Sequence, residues 1–548
     1  MKKLILLFGL FTLQAQAQIL NHKHEYTRQD TLRGSNTASR DWWDVKHYKV
    51  SVEPNYKEKN IKGQMVIQFD VIKSINNGVM QIDLQEPMQL IGAKLNGKAI
   101  KAFKREGNVY FLNVGTKLKS FANELYLFYD GKPREAVMAP WDGGWVFTQD
   151  EKGNPWMTVA CQGLGASVWY PNKDYLGDEP DRGMELEIIV PDDLVGVGNG
   201  RLKEQKKLKH NKTAYTWVVN NPINNYNIVP YIGKYVNFKD TFQGEKGILD
   251  LDYYVLDYNL TKAKSQFEQT KSMLKSFEHW FGPYPFYEDS FKLVESSHLG
   301  MEHQSAIAYG NKYQNGYLGR DLSNSGWGLN WDFIIVHEAG HEWFGNNISN
   351  KDVADMWIHE GFTSYAETLY TESLFGKEAG SNYVIGTRSS IANEKPLIGE
   401  YGVNQEGPSD IYNKGANMIH TFRTWLNNDE KFRQILRGIN QTFYHQTVTT
   451  EQIEDYLAKE SGLDLKAFFN QYLRSKEVPI LEIKQEGKVF LYRYYNVVDG
   501  FNMPLRLVDS SIILTPTSNW TELKHSNFKS SFDINVDLNY YIHTIVIK

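Results

Sequence analysis

A chain of 548 residues with 41% hydrophobic content is longer than one hydrophobic core supports, so several globular units are expected, three on the patterning below. Sixty lysines and arginines against 65 acidic residues give a net charge of -5, which leaves no basic surplus for a polyanion to neutralise and argues against nucleic acid as a partner. Cys161 is the single cysteine, which excludes an intramolecular disulfide and a cysteine-based metal cluster; with only Ala160, Gln162 and Gly163 beside it, it reads as a small buried hydrophobe.

Lys2 and Lys3 precede an apolar run from Leu4 to Leu13, followed by Ala15-Gln16-Ala17. The run is too short to span a bilayer of ~30 Å as a helix, and the small residues suit a signal peptidase, so residues 1–17 are expected to be a signal peptide cleaved after Ala17. Export to a periplasm or the extracellular medium follows. No cysteine follows the run to take a lipid, and no second long apolar run suggests a membrane span in the mature chain. Residues 18–41 read as an N-terminal extension.

From 42 to 243 the pattern alternates and is punctuated by turns. Met65, Ile67, Phe69 and Val71 fall on one face, with Gln64, Gln68 and Asp70 on the other, which predicts an antiparallel β domain. Asn96-Gly97, both tolerant of positive φ, predicts a tight hairpin. Gly196-Val197-Gly198-Asn199-Gly200 lacks the last glycine of a dinucleotide fingerprint and reads as turn chemistry. Between 244 and 477 the period becomes helical: Phe267, Met273, Leu274, Phe277 and Trp280 recur up to a break at Gly282-Pro283. Helical patterning continues through Asp332–Phe344, Gly361–Phe375, Ala416–Leu426 and Ile453–Leu473. Between 478 and 548 alternation returns in Val489, Leu491 and Arg493 and in Phe532, Ile534, Val536 and Leu538, predicting a small C-terminal β domain.

The strongest chemistry lies in His337-Glu338-Ala339-Gly340-His341, inside an apolar helical pattern. Histidines at i and i+4 share one helix face, and one turn brings two imidazoles to a single zinc ion. Alone this pattern is only moderately specific. A catalytic zinc needs a third protein ligand and an open position; after eighteen intervening residues comes Glu360, which opens a second helical segment and is the expected third ligand. Glu367, on the same face, is either an acceptor for a ligating histidine or a solvated surface glutamate.

The combination resembles the aminopeptidase N family of zinc peptidases, which includes the leukotriene hydrolase/aminopeptidase. Leu299-Gly300-Met301-Glu302-His303 resembles the family's exopeptidase motif, Gly282-Pro283-Tyr284-Pro285-Phe286 a family turn, and Tyr412-Asn413-Lys414-Gly415-Ala416 its tyrosine segment. Gln162, nine residues before Pro171, stands where the family places a glutamine or glutamate beside the substrate's amino end. The resemblance implies a multidomain α+β fold: an N-terminal antiparallel β domain, a thermolysin-like, mainly helical catalytic domain and a small C-terminal β-sandwich domain, a short form without the family's large helical C-terminal domain.

It also implies roles. One zinc per chain would be held by His337, His341 and Glu360. Glu338 would be general base and acid, and Tyr412 would stabilise the oxyanion. Glu302, with Gln162, Gly300, Met301 and His303, would bind the free amino end of a peptide. His303 and His359 stand where the family usually has asparagine, and both are expected at the cleft or in the layer behind the ligands. Two rival readings remain: a thermolysin-like endopeptidase, which Glu302 opposes, and a binding protein without activity, which the complete set His337, Glu338, His341, Glu360 and Tyr412 opposes.

Overall fold

The computed structural model describes residues 25–74, 78–115, 118–508, 510–524 and 528–547; the expected signal peptide lies outside them. In Asn60–Val71, Met65, Ile67 and Phe69 are buried, while Gln64, Gln68 and Asp70 remain partly exposed, as the pleat requires. That strand pairs antiparallel with Trp43–Asn55 and with Asn123–Gly131 inside an eight-stranded sheet. The sheet is not wholly antiparallel, because Trp43–Asn55 pairs in parallel with Met184–Pro191. The two are more than a hundred residues apart, and local alternation carries no strand direction. At the Asn96-Gly97 hairpin φ is 49° and 80°, and Leu95 faces Lys98. Gly144–Gln149, Pro155–Ala160, Tyr231–Gly233 and Val195–Val197 form a second, four-stranded sheet, and Tyr48, Tyr129, Trp145 and Trp217 belong to the core the two sheets share. Cys161 is buried there, its thiol facing the Tyr226 carbonyl at 3.5 Å.

A five-stranded sheet leads into the helical unit: Tyr235–Gly244, Gly247–Leu256, Phe291–Glu295, Ile307–Tyr309 and, at the edge, Gly300–Met301. The expected boundary at 243/244 therefore falls inside the hairpin joining Tyr235–Gly244 to Gly247–Leu256. A hairpin pairs as one unit, so the division moves to just before Tyr235.

Helices Gln269–Phe281, Phe333–Gly340, Trp357–Phe375 and Asp410–Leu426 pack around one core. Phe333–Gly340 is capped by Asp332, whose carboxylate accepts from the Ile334 and Ile335 amides and also from the Tyr309 hydroxyl at 2.7 Å and Gln266 Nε2 at 2.7 Å. Trp357–Phe375 crosses Asp410–Leu426 where two glycines meet: a Cβ on Gly415 would stand 2.8 Å from Gly361 Cα. The predicted helix over Ile453–Leu473 is two helices, Thr450–Ser461 and Lys466–Leu473, separated at Gly462, whose φ of 73° ends the first.

The C-terminal residues form a four-stranded sheet, with His543–Ile547 parallel to Ile480–Glu486. Two expectations fail here. In Val489–Tyr495 the buried face is Phe490, Tyr492 and Tyr494, the residues between those singled out; both faces of this strand are largely apolar, so alternation does not choose. Phe532 to Leu538 is not a strand: Phe532 and Leu538 are 69% and 72% exposed, Ser531–Asp533 is a 3-10 turn capped by Ser530, and the closing strand begins at His543. This sheet shares its core with the helical unit, and Tyr472 Oη donates to the Tyr541 carbonyl across the joint at 2.8 Å.

Candidate metal centre and substrate cleft

His337 lies on the last turn of Phe333–Gly340 and His341 at its C-cap, with ring centroids 5.0 Å apart. The chain then turns at Gly345, where φ is 133°, and re-enters as helix Trp357–Phe375, whose first turn carries Glu360. Gly340 permits the close crossing of the two helices, since a Cβ there would lie 3.0 Å from Thr363 Cγ2.

The three side chains converge. Glu360 Oε2 lies 3.6 Å from His337 Nε2 and 3.4 Å from His341 Nε2, and all three residues are buried. The opposite ring nitrogens are occupied: His337 Nδ1 by Glu367 Oε1 at 2.7 Å, and His341 Nδ1 by the Phe344 carbonyl at 3.0 Å. With the Nδ1 proton committed to those acceptors, each Nε2 lone pair faces Glu360. Glu360 Oε2 is itself buried without a hydrogen-bond partner, which a cation at the focus of the three atoms would resolve. Two imidazoles and one carboxylate are zinc donors. Glu302, Glu338 and His341 also bring ligand atoms within 4.8 Å of one another, but that grouping needs the same histidine, and Glu302 is already engaged elsewhere.

Glu367 is not a solvated surface residue. It is buried, and its second oxygen accepts from Tyr383 Oη at 2.6 Å, giving a chain from Tyr383 through Glu367 to His337.

A cavity of about 520 Å³ opens over these donors, lined in part by Gly300, Met301, Glu302, Glu338 and Tyr412. Burial lifts the Glu338 carboxyl to about 7, with His337 and His341 opposing and Glu302 and Glu360 reinforcing the rise. Gly300 leaves it room, since a Cβ there would lie 2.4 Å from Glu338 Oε1. Burial, then the charges of Glu360 and Glu302, raise the Tyr412 phenol well above its ordinary value and keep it protonated. Glu302 Oε1 accepts from Gln162 Nε2 at 2.7 Å and from Tyr226 Oη at 2.9 Å.

Residues 265–472 match the model of the Peptidase family M1 domain. They form an M1 peptidase domain. The M1 domain's surroundings are similar to known proteins as well. Probable aminopeptidase 2 of Sulfurisphaera tokodaii is 21% identical over 461 residues, 81% of this chain and 55% of that protein. Mitochondrial aminopeptidase 2 of Saccharomyces cerevisiae is 22% identical, covering 88% of this chain and 53% of that one. Leukotriene A-4 hydrolase of Xenopus laevis is 26% identical over 294 residues, 50% of this chain and 44% of that one. The chain thus spans about half the length of these curated relatives. A solved M1 zinc metallopeptidase from Deinococcus radiodurans shares the fold, with a TM-score of 0.68 at 20% identity over 80% of this chain and 95% of that one.

The two histidines that replace the family's usual asparagines both lie outside the cleft lining. His303 does not line the cleft; it is buried behind it, with Nδ1 2.6 Å from Tyr231 Oη. His359 points away from the cleft, and its Nε2 accepts from the Asn350 amide at 3.0 Å. Each flanks a cleft glutamate in sequence, and neighbouring side chains on a strand or helix point in different directions. Burial lowers both imidazoles, that of His359 to about 3. Sequence reasoning also passed over Tyr226, Tyr383 and Trp141. The first two act through partners distant in the chain and leave no local periodic signal. Trp141, 67% exposed on a loop of the β domain at the mouth of the cleft, stands out only once the loop is seen to reach the M1 domain.

Proposed function

We propose that this protein is a zinc-dependent aminopeptidase that removes residues one at a time from the free amino end of peptides. The carrying observation is Glu302, a buried carboxylate beside the metal donors, held by Gln162 and Tyr226. A fixed anionic acceptor suits a substrate α-ammonium through a charge-assisted pair, and an endopeptidase has no use for one. The names of the relatives agree with this reading.

Zinc, when bound by His337, His341 and Glu360, polarises a carbonyl and lowers the pKa of water toward ~7. Glu338 takes the proton of the attacking water and delivers it to the departing amine, and a carboxyl near neutrality can work in both directions. Tyr412 donates its hydroxyl to the developing oxyanion. The edge strand Gly300–Met301 offers backbone groups along which an extended peptide can lie. The family resemblance further supports a thermolysin-like catalytic unit and a C-terminal β-sandwich, and the N-terminal pattern supports export through residues 1–17 to a periplasm or the extracellular medium.

A panel of aminoacyl 4-nitroanilides, assayed with and without a chelator, tests the reading. Release that chelation abolishes and zinc restores is expected; release indifferent to chelation, or none from any substrate, overturns it.

A further inference from the structure

Among the described residues, five carboxylates line the cleft, Glu302, Glu338, Glu360, Glu367 and Glu406, and no lysine or arginine lines it. Four of them have a task on the geometry above. Glu360 faces the two Nε2 atoms, Glu367 holds His337 and Tyr383, Glu302 is tied to Gln162 and Tyr226, and Glu338 stands over the donors as base. Glu406 is left over. It belongs to the connection between the 3-10 turn Thr387–Ser390 and helix Asp410–Leu426, its side chain is exposed to the cleft, and among the described residues no cation pairs with it.

Its position is fixed by neighbours on both sides. Asn404 Nδ2 of the same loop reaches the Gly163 carbonyl at 3.4 Å, and the preceding residue, Gln162, is the one that hydrogen-bonds Glu302. On the other side, the Glu406 charge acts on Tyr412, and Glu360 acts on Glu406. Glu406 therefore lines the same cleft as Glu302, on the side of Tyr412 and Glu360.

We infer that Glu406 is a specificity residue, reading a cationic side chain on the first residue of the peptide, so that lysine and arginine are the preferred amino-terminal residues. The inference rests on the aminopeptidase reading. A peptide held at Glu302 places its first side chain in this cleft, and Glu406, a carboxylate without a cation of its own, is free to pair with a guanidinium or ammonium there. An acidic first residue would be repelled by Glu406.

Zinc-loaded full-length protein is assayed on the aminoacyl-4-methylcoumarin amides of arginine, lysine, norleucine and alanine. Lysine and norleucine have side-chain stems of equal length and differ in the charge. The lysine-to-norleucine ratio of kcat/KM is expected to exceed about tenfold, and Glu406→Gln should reduce it by at least about tenfold, chiefly through KM, while Glu406→Asp retains most of it. Zinc content and thermal midpoint of both variants establish that they are folded. If norleucine and lysine are released equally by the unmutated protein, or if Glu406→Gln leaves the ratio intact, the inference fails and the aminopeptidase reading stands. If no amide is hydrolysed, both fail.

Discussion

Gln162 Nε2 donates to Glu302 Oε1 at 2.7 Å, a bond that joins the β domain to the edge strand beside the metal donors across 140 residues of sequence. The β domain is thus a wall of the cleft, and the recognition of a substrate's amino end is shared between two units of the fold.

The first expected outcome concerns that recognition. Glu302→Ala should lower kcat/KM by ~100-fold or more, because truncation leaves a desolvated ammonium without its anion, while zinc content is kept. An acetylated peptide, which has lost the ammonium, should be left intact by the unmutated protein. Liquid chromatography of paired free and acetylated peptides decides this. Internal cleavage of the acetylated member at a comparable rate would put the thermolysin-like endopeptidase in place of the present reading.

Metal content follows the donor geometry. About one zinc per chain is expected by atomic emission after mild purification, falling on Glu360→Ala. Glu367→Gln removes the carboxylate charge that orients His337 through Nδ1, and zinc affinity should drop by ~10- to 100-fold. A Glu360→Ala protein with full zinc would dissolve the ligand assignment.

For Glu338→Gln, retention of zinc with a loss of turnover of at least ~100-fold is expected, since the amide fills the same space and accepts no proton. Steady-state kinetics on metal-quantified protein is the measurement. Retained turnover at neutral pH would require another base.

Stability should carry a pH signature from Glu179, buried where the β domain meets the strand that follows the donor helix. Its carboxyl accepts from Asn224 Nδ2 at 3.5 Å, and burial lifts it from 4.5 to about 7, with Ser349 and Asn224 opposing the rise. The folded state therefore binds the proton more tightly than the unfolded chain. The stabilisation this provides is complete below about pH 4.5 and is lost as pH rises through about 7. Glu179→Gln should match the unmutated protein at the acid end and exceed it by an amount on the order of 3 kcal/mol above pH ~7. Calorimetric midpoints across that range test this, and a gap that does not vary with pH would refute it.

What could be read in advance divides along the range of the interaction. His337 and His341 are one helical turn apart, and Glu360 opens a helix whose apolar pattern is local, so residue spacing alone brought them together. Glu302 and Gln162 were recognised through motif resemblance. The hydroxyl of Tyr226, the Tyr383–Glu367 bond and the place of Glu406 in the cleft depend on pairings between segments that no periodicity relates. His303, expected to touch substrate, shows the converse: it follows a cleft residue in the chain, yet its side chain turns away from the cleft to Tyr231. The parallel pairing of Trp43–Asn55 with Met184–Pro191 and the buried face of Val489–Tyr495 went unread for the same reason, since each is decided by what lies across from the strand.

The meeting of Gly361 and Gly415 ties backbone packing to chemistry. Glu360 and Gly361 are consecutive on one helix, Tyr412 lies one turn before Gly415 on the other, and the separation between metal donor and phenol is set where the two backbones touch. This spacer contains no ionisable group and no ion. Acid, alkali, salt and chelators can therefore each disable the histidines and carboxylates and leave the spacer at its original width, so that restoring the solution should restore an aligned phenol. A single methyl group at Gly415, 2.8 Å from the Gly361 Cα, is a permanent wedge that no change of solvent can withdraw.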